Sequence, residues 1–232
     1  MNIKEDLLKD AQKVLKNKAV LKTYGIQEIV LKDVVRKYPY HNEYAEVDLK
    51  VKLLNLFYST GIQAINTMVN HIMDISKNSN IDIRLRNGDT SLVSEIAKLQ
   101  ISNGKKRINY SFATKYCALH QPDKFPIYDS IVANVLLLLL KKGEIPPYTL
   151  RNRKQTGTKT CKYVREYERA LRNYDYFVEV YKAFQQAYNL TSFSFRDVDS
   201  YIWGAFKLGG QKYRIEQIAP INPKLCQEYK QA

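Results

Sequence analysis

The sequence predicts an all-α protein, and three observations predict it. Apolar residues recur at intervals of three and four along most of the chain, the spacing of one helix face. The segments patterned this way are separated by short breaks carrying Gly or Pro. The alternation at Ile81, Ile83 and Leu85 is a candidate for one short strand, and a lone strand has no partner to stabilise it.

In chain order, Ile3, Leu7, Leu8, Ala11, Val14, Leu15 and Ala19 make Met1 to Lys22 a lysine-rich amphipathic helix that Tyr24-Gly25 ends. Ile26 to Tyr38 reads as a second helix or an extended piece. Pro39 to Glu46 is a polar connection. Val47 to Phe57 is a helix with Val47, Val51, Leu54 and Tyr58 on one stripe. Leu56 to Ala64 interrupts it with a turn, and Ile62 to Ile75 is a further helix that buries Ile65, Met68, Val69, Ile72 and Met73. Ser76 to Asp89 reads as a loop, and Thr90 to Ile101 as another helix.

Ser102 to Arg107 is a basic turn. Gly104 permits close backbone approach to a phosphate, and Lys105, Lys106 and Arg107 add charge. Beyond it lies the stretch around which the chain is organised. Tyr110 to His120 is helical, and Pro122 and Pro126 then break the chain twice in five residues. Asp129-Ser130 are preferred N-cap residues for the apolar run Ile131 to Leu140. That run is buried and far short of the roughly 20 residues a bilayer requires. Lys115 and Asp129 would then supply an amine nucleophile and a carboxylate. Their plain alternatives are a surface lysine and an ordinary cap.

The sequence Ala113-Thr114-Lys115, followed by Pro122-x-x-x-Pro126-Ile127-Tyr128-Asp129, resembles the core of the helix-hairpin-helix DNA glycosylases, in particular the 8-oxoguanine glycosylase branch. The resemblance implies two helical lobes around a cleft, with residues 90–140 as the hairpin and catalytic core. It implies Lys115 as the nucleophile that attacks the sugar carbon and Asp129 as the acid that assists. The turn at 102–107 stands where the family places its DNA-binding hairpin. Tyr58, Ser59, Thr60 and Gln63 are a loose analogue of the segment that lines the family's DNA cleft. The partner implied is duplex DNA with a flipped base, and the activity is base excision with abasic-site lysis as its extension. The alternative is a catalytically inactive DNA-binding module on the same fold, in phage defence or a mobile element.

Composition is compatible with this. Thirty-seven Lys and Arg against 23 Asp and Glu give a net charge of +14, which favours a polyanionic partner. From Arg151 to Arg165 the cations Arg151, Arg153, Lys154, Lys159, Lys162 and Arg165 occur with no acid. This predicts a flexible phosphate-contacting loop. Cys117, Cys161 and Cys226 form no CxxC, and His41, His71 and His120 have no ligand spacing, so neither a metal site nor a cofactor is expected. An odd cysteine count and a start unlike a signal peptide predict a reducing cytoplasm, at the nucleoid in a bacterium, with no membrane partner. Towards the C-terminus, Tyr163 to Tyr188 is one long helix with Tyr167, Tyr174, Phe177, Val178, Tyr181 and Phe184 in its core. Ser194 to Asp197 caps a helix over Val198 to Leu208 that holds Trp203, and residues 220–232 are a loose tail.

Overall fold

The structure is a computed structural model that describes residues 18–101, 104–142, 167–188, 190–199 and 202. The first part of the N-terminal helix, the basic loop with Arg151, Arg153, Lys154 and Lys159, Trp203 and the tail lie outside the described residues. The chain forms two compact units. One comprises Asn17–Tyr128 with Ser194–Arg196; the other comprises Met1–Lys16, Asp129–Phe193 and Asp197–Ala232.

The first unit is helical with one small sheet. It contains α1 (Lys18–Lys37), α2 (Tyr44–Tyr58), α3 (Ile65–Ser79), α4 (Ile81–Asn87), α5 (Ser91–Ala97), β1 (Lys98–Gln100), β2 (Lys106–Ile108) and α6 (Tyr110–His120). The main packings are α2 on α3 and α5 on α6. Val47, Val51 and Leu54 of α2 meet Met68, Val69, Ile72 and Ile75 of α3 as buried core. Ile65 and Met73, expected inside, are only half-buried.

Three further expectations fail here. Tyr24-Gly25 does not end a helix, because α1 runs through it to Lys37. One glycine in an exposed helix costs only about 1 kcal/mol, which a twenty-residue helix absorbs. Ser76 to Asp89 is not a loop. Asn80 (φ 50°) and Gly88 (φ 69°) adopt the left-handed conformation at the two ends of α4, and the Asn80 side chain accepts from the Ile83 N–H. Ile81 and Leu85, one helical turn apart, are buried while Ile83 is exposed, so the apparent alternation is a helical i, i+4 pair. Arg84 of α4 then clamps the next helix, with Nε 2.7 Å from Asp89 and Nη1 2.5 Å from Glu95.

The helix predicted over Thr90 to Ile101 stops at Ala97. Its last part is β1, antiparallel to β2 in the register Lys98 with Ile108, Leu99 with Arg107 and Gln100 with Lys106. The Ile101 N–H bonds the Lys105 carbonyl at 2.8 Å, and Gly104 takes a φ of 72° in the turn. A β-hairpin therefore joins α5 to α6 in place of a helical turn.

The second unit holds α7 (Ser130–Lys142) and α8 (Tyr174–Ala187). The predicted helix from Tyr163 to Tyr188 breaks at 171–173, where the Asn173 side chain caps α8 by accepting from the Tyr176 N–H. Tyr167, Tyr174, Phe177, Val178, Tyr181 and Phe184 are core as expected. The turn at 194 leads into helix from Phe195, earlier than the predicted Val198.

Candidate functional site

Lys115 lies on α6 and is 7 % exposed. Its Nζ donates to the Ser111 hydroxyl one turn earlier at 2.7 Å and sits 5.9 Å from the centre of the Tyr58 ring. An ammonium over an aromatic face is attracted by the ring quadrupole. Thr114, the residue before it, has a tethering role of its own. Its hydroxyl accepts from the Tyr128 N–H at 3.2 Å and reaches the Ser111 and Tyr128 carbonyls at 3.0 and 3.3 Å. The segment after the two prolines is thereby stapled to the lysine helix. Tyr110 and Tyr128 close this side with ring centres 4.7 Å apart.

Tyr58 is held from the other side. Its hydroxyl accepts from Arg196 at 3.0 Å, and the Arg196 guanidinium forks onto both Glu28 oxygens at 3.1 Å. Burial raises the Glu28 carboxyl, but Arg196 and Lys32 override it and hold the pKa at about 2.

The residues expected to line a cleft lie at the end of α2 and in a braced loop after it. Ser59 takes the left-handed conformation (φ 48°) that ends α2. The Asn55 side chain accepts from the Thr60 hydroxyl and the Ile62 N–H at 2.7 and 2.9 Å. Arg107 reaches across from β2 to the Gly61 carbonyl at 3.0 Å and to Gln63 at 3.5 Å. The structure thus links Tyr58, Ser59, Thr60 and Gln63 to Arg107 on one side and, through Tyr58, to Lys115 on the other. Gly104, Lys105, Lys106 and Arg107 are all exposed.

Asp129 belongs to the second unit. Its carboxylate accepts from the Val132 N–H at 2.8 Å, which makes it the N-cap of α7 as its residue type suggests.

A second cluster escaped sequence reasoning altogether. His41, from the α1–α2 connection, is fully buried, and its Nδ1 lies 2.7 Å from Asp82 on α4. The other Asp82 oxygen accepts the His41 backbone N–H at 3.3 Å. An ionised carboxylate can only accept, so the imidazole carries its proton on Nδ1 and presents Nε2 as a bare acceptor. The His120 ring lies 4.6 Å from that of His41, and the Tyr116 ring 5.7 Å. The Nε2 atoms of both histidines and the Tyr116 hydroxyl are buried without a hydrogen-bond partner.

Burial pushes the His41 pKa down, against the pull of Asp82, and pushes that of His120 well down with the help of His41 and Lys50. Burial also pushes the Asp82 carboxyl up, but His41 outweighs it and the net shift is downward. Lys50 is fully buried and donates to the Tyr38 and Tyr40 carbonyls at 3.0 and 2.7 Å, fixing the backbone on either side of Pro39. Burial lowers its pKa to about 8, although Asp82 and Glu46 oppose that.

His120 and Asp82 face a cleft of about 190 Å³ whose wall includes Tyr40, Arg86 and Gln121. A carboxylate-oriented imidazole is a general-base arrangement, here one ring removed from the cleft. The third histidine is structural, its Nε2 2.9 Å from the Glu95 carbonyl. Beside Tyr116, the Cys117 thiol is buried and pushed up by that burial, so it is an inert core group. Among the described residues no three of His, Cys, Asp or Glu are placed to hold a metal ion, and no helix is long and apolar enough to cross a membrane.

Comparison with known proteins places residues 5–124, just over half of the chain, in the HI_0787_N family, described as an N-terminal domain. The chain belongs to that family. The matched stretch ends four residues before Tyr128, the end of the first unit's long segment, so it holds Lys115, Tyr58, the hairpin and the histidine cluster, while Asp129 falls beyond it. An uncharacterized protein of Haemophilus influenzae is 37 % identical over 153 residues, which is 66 % of this chain. The chain spans 62 % of that relative's length. No solved structure matches the chain.

Proposed function

We propose that this member of the family binds duplex DNA and excises a damaged or modified base, with Lys115 as the nucleophile. The observation that carries the reading is the setting of that lysine. Its amine is held inside a basic protein, against a hydroxyl and a tyrosine face, on the helix that bears Ala-Thr-Lys. The fully buried Lys50 is the structural contrast: two backbone carbonyls cap its ammonium and fix a turn.

In the proposed step the target nucleotide leaves the base stack. The Lys115 ammonium first gives up a proton to solvent; the freed amine attacks C1′ of the sugar, and the base departs with the electron pair of the glycosidic bond and takes up a proton. Loss of the amine protons and opening of the sugar ring give an imine, from which β-elimination of the 3′-phosphate cleaves the strand. Ser111, four residues earlier, holds the amine in place. Asp129 takes the proton-handling role on the resemblance alone. The glycosylase-like arrangement of two lobes around a cleft, with localisation at the nucleoid, belongs to the same reading.

The test is borohydride trapping on duplexes bearing 8-oxoguanine, uracil or an abasic site. A covalent adduct is expected with the wild-type chain and none with Lys115→Gln. Base release at the wild-type rate by that variant overturns the reading. Absence of any adduct, with tight salt-dependent duplex binding, would favour the inactive binding module, whose supporting observation is the β-hairpin standing where a helical hairpin was expected.

A further inference from the structure

We propose that the β1–β2 hairpin is a groove-reading ribbon for duplex nucleic acid, presenting Lys98, Gln100, Lys106 and Ile108 on one outer face. This rests on the DNA partner proposed above but not on the chemistry at Lys115.

Directly opposed residues of an antiparallel pair put their side chains on the same face. The register pairs Lys98 with Ile108 and Gln100 with Lys106, so these four share a face, and all four are exposed. The remaining pair, Leu99 with the exposed Arg107, makes the opposite face, which Leu99 seats on the protein. Leu99 is 1 % exposed, and Arg107 is committed to the loop at Gly61 and Gln63. The ribbon is therefore seated on the protein by one face and bare on the other. Ile108, β-branched and 62 % exposed, stands among cations on that bare face.

Charge selects the partner. No acid occurs between Glu95 and Asp123, while Lys98, Lys105, Lys106, Arg107, Lys115 and the intervening polar residues fill the interval. An acidic peptide would meet the same charge, but shape favours a duplex: a two-stranded ribbon fits the major groove, about 12 Å wide. The outer residues also match what that groove displays. An amide such as Gln100 can pair with adenine in bidentate fashion, a lysine bonds guanine or phosphate, and an aliphatic group contacts the thymine methyl. Arg107, already engaged, braces the ribbon. Lys98, Lys105 and Lys106 are left to neutralise phosphates.

The experiment uses the full chain and a fluorescent mixed-sequence duplex, with affinity measured between 50 and 200 mM salt. Each phosphate neutralised contributes about 0.9 to the slope of log affinity against log salt. The triple variant Lys98→Gln, Lys105→Gln, Lys106→Gln should lower the slope by about 2 to 3. Lys52→Gln with Lys77→Gln, both exposed and remote in sequence from the hairpin, should leave it unchanged. Wild-type protein should also protect guanine N7, a major-groove atom, from dimethyl sulfate, and Ile108→Asp should abolish that protection. All these positions are exposed, and melting curves check that each variant folds.

An unchanged slope in the triple variant overturns the ribbon, as does stronger binding to single strands or to an acidic peptide. The lysine adduct is scored separately. An adduct with an unchanged slope leaves excision standing without the ribbon. A reduced slope with no adduct leaves the ribbon standing without excision.

Discussion

Asp82→Ala is expected to lower the melting temperature of the protein by about 5–10 °C. The substitution removes the acceptor for two His41 donors, the ring Nδ1–H at 2.7 Å and the backbone N–H at 3.3 Å. His41 is 1 % exposed, so water does not readily replace the carboxylate. A buried donor left unpaired costs about 1–3 kcal/mol. The aspartate itself is partly exposed, which lets some solvent reach the gap and holds the sum near 2–3 kcal/mol. For a chain of this size each kcal/mol moves the midpoint by roughly 2–4 °C. Asp82→Asn keeps one acceptor oxygen and should recover about half of the loss. Thermal melts of the three proteins at pH 7.5 measure it, and a shift under 2 °C would mean that His41 is not held by this carboxylate.

The same cluster should make the fold acid-sensitive in a defined window. His41 and His120 have pKa values depressed below 6.5 in the folded state. Above pH 7 both states carry neutral imidazoles, and the histidines contribute no pH dependence. Below 6.5 the unfolded chain takes up protons that the folded chain refuses. The unfolded state then binds more protons, and stability falls as pH falls. Each histidine contributes at most about 1.4 kcal/mol per pH unit in that range. Between pH 6.5 and 5.5 the two together cost at most about 2 kcal/mol. Asp82 and Glu28 are also depressed, but their share is lost only as pH drops below about 4, the unfolded carboxylate value. Denaturant midpoints at pH 7.5, 6.5 and 5.5 separate the two. His120→Phe keeps the ring packing against Tyr116 and removes the more strongly depressed group, so it should take away half of the slope between 6.5 and 5.5 or more. An unchanged slope would place the acid response elsewhere.

What was legible in the sequence was local. The lysine helix, its double proline break and the cap on the next helix are written within twenty residues, and α6, the turn and α7 follow that pattern. The aromatic core of α8 was equally plain. Signals that compete at short range were misread. In α4 Ile81 and Leu85 fit both periods while Ile83 fits only the alternation, and the end signals Asn80 and Gly88 decide for helix. At Lys98–Gln100 the helical run was ended by pairing with Lys106–Ile108, a partner that periodicity cannot supply. The site divides in the same way. Lys115 and Ser111 are one turn apart and could be paired on paper. Tyr58, Arg196 and Glu28 come from three distant segments, and His41 and Asp82 are 41 residues apart. No spacing rule joins them; only the folded chain does.

The burial of Cys117 turns that residue into a clock. An alkylating reagent attacks only the thiolate, and only where it can reach it. At a sulfur enclosed on the lysine helix, both conditions wait for the helix to lift from its bed. The rate at which the peptide bearing Cys117 gains reagent mass is therefore the reagent's intrinsic rate multiplied by the fraction of time α6 stands open. Followed by mass spectrometry with and without a bound duplex, that rate reports how firmly occupancy clamps the element carrying Lys115, independently of whether any bond is broken.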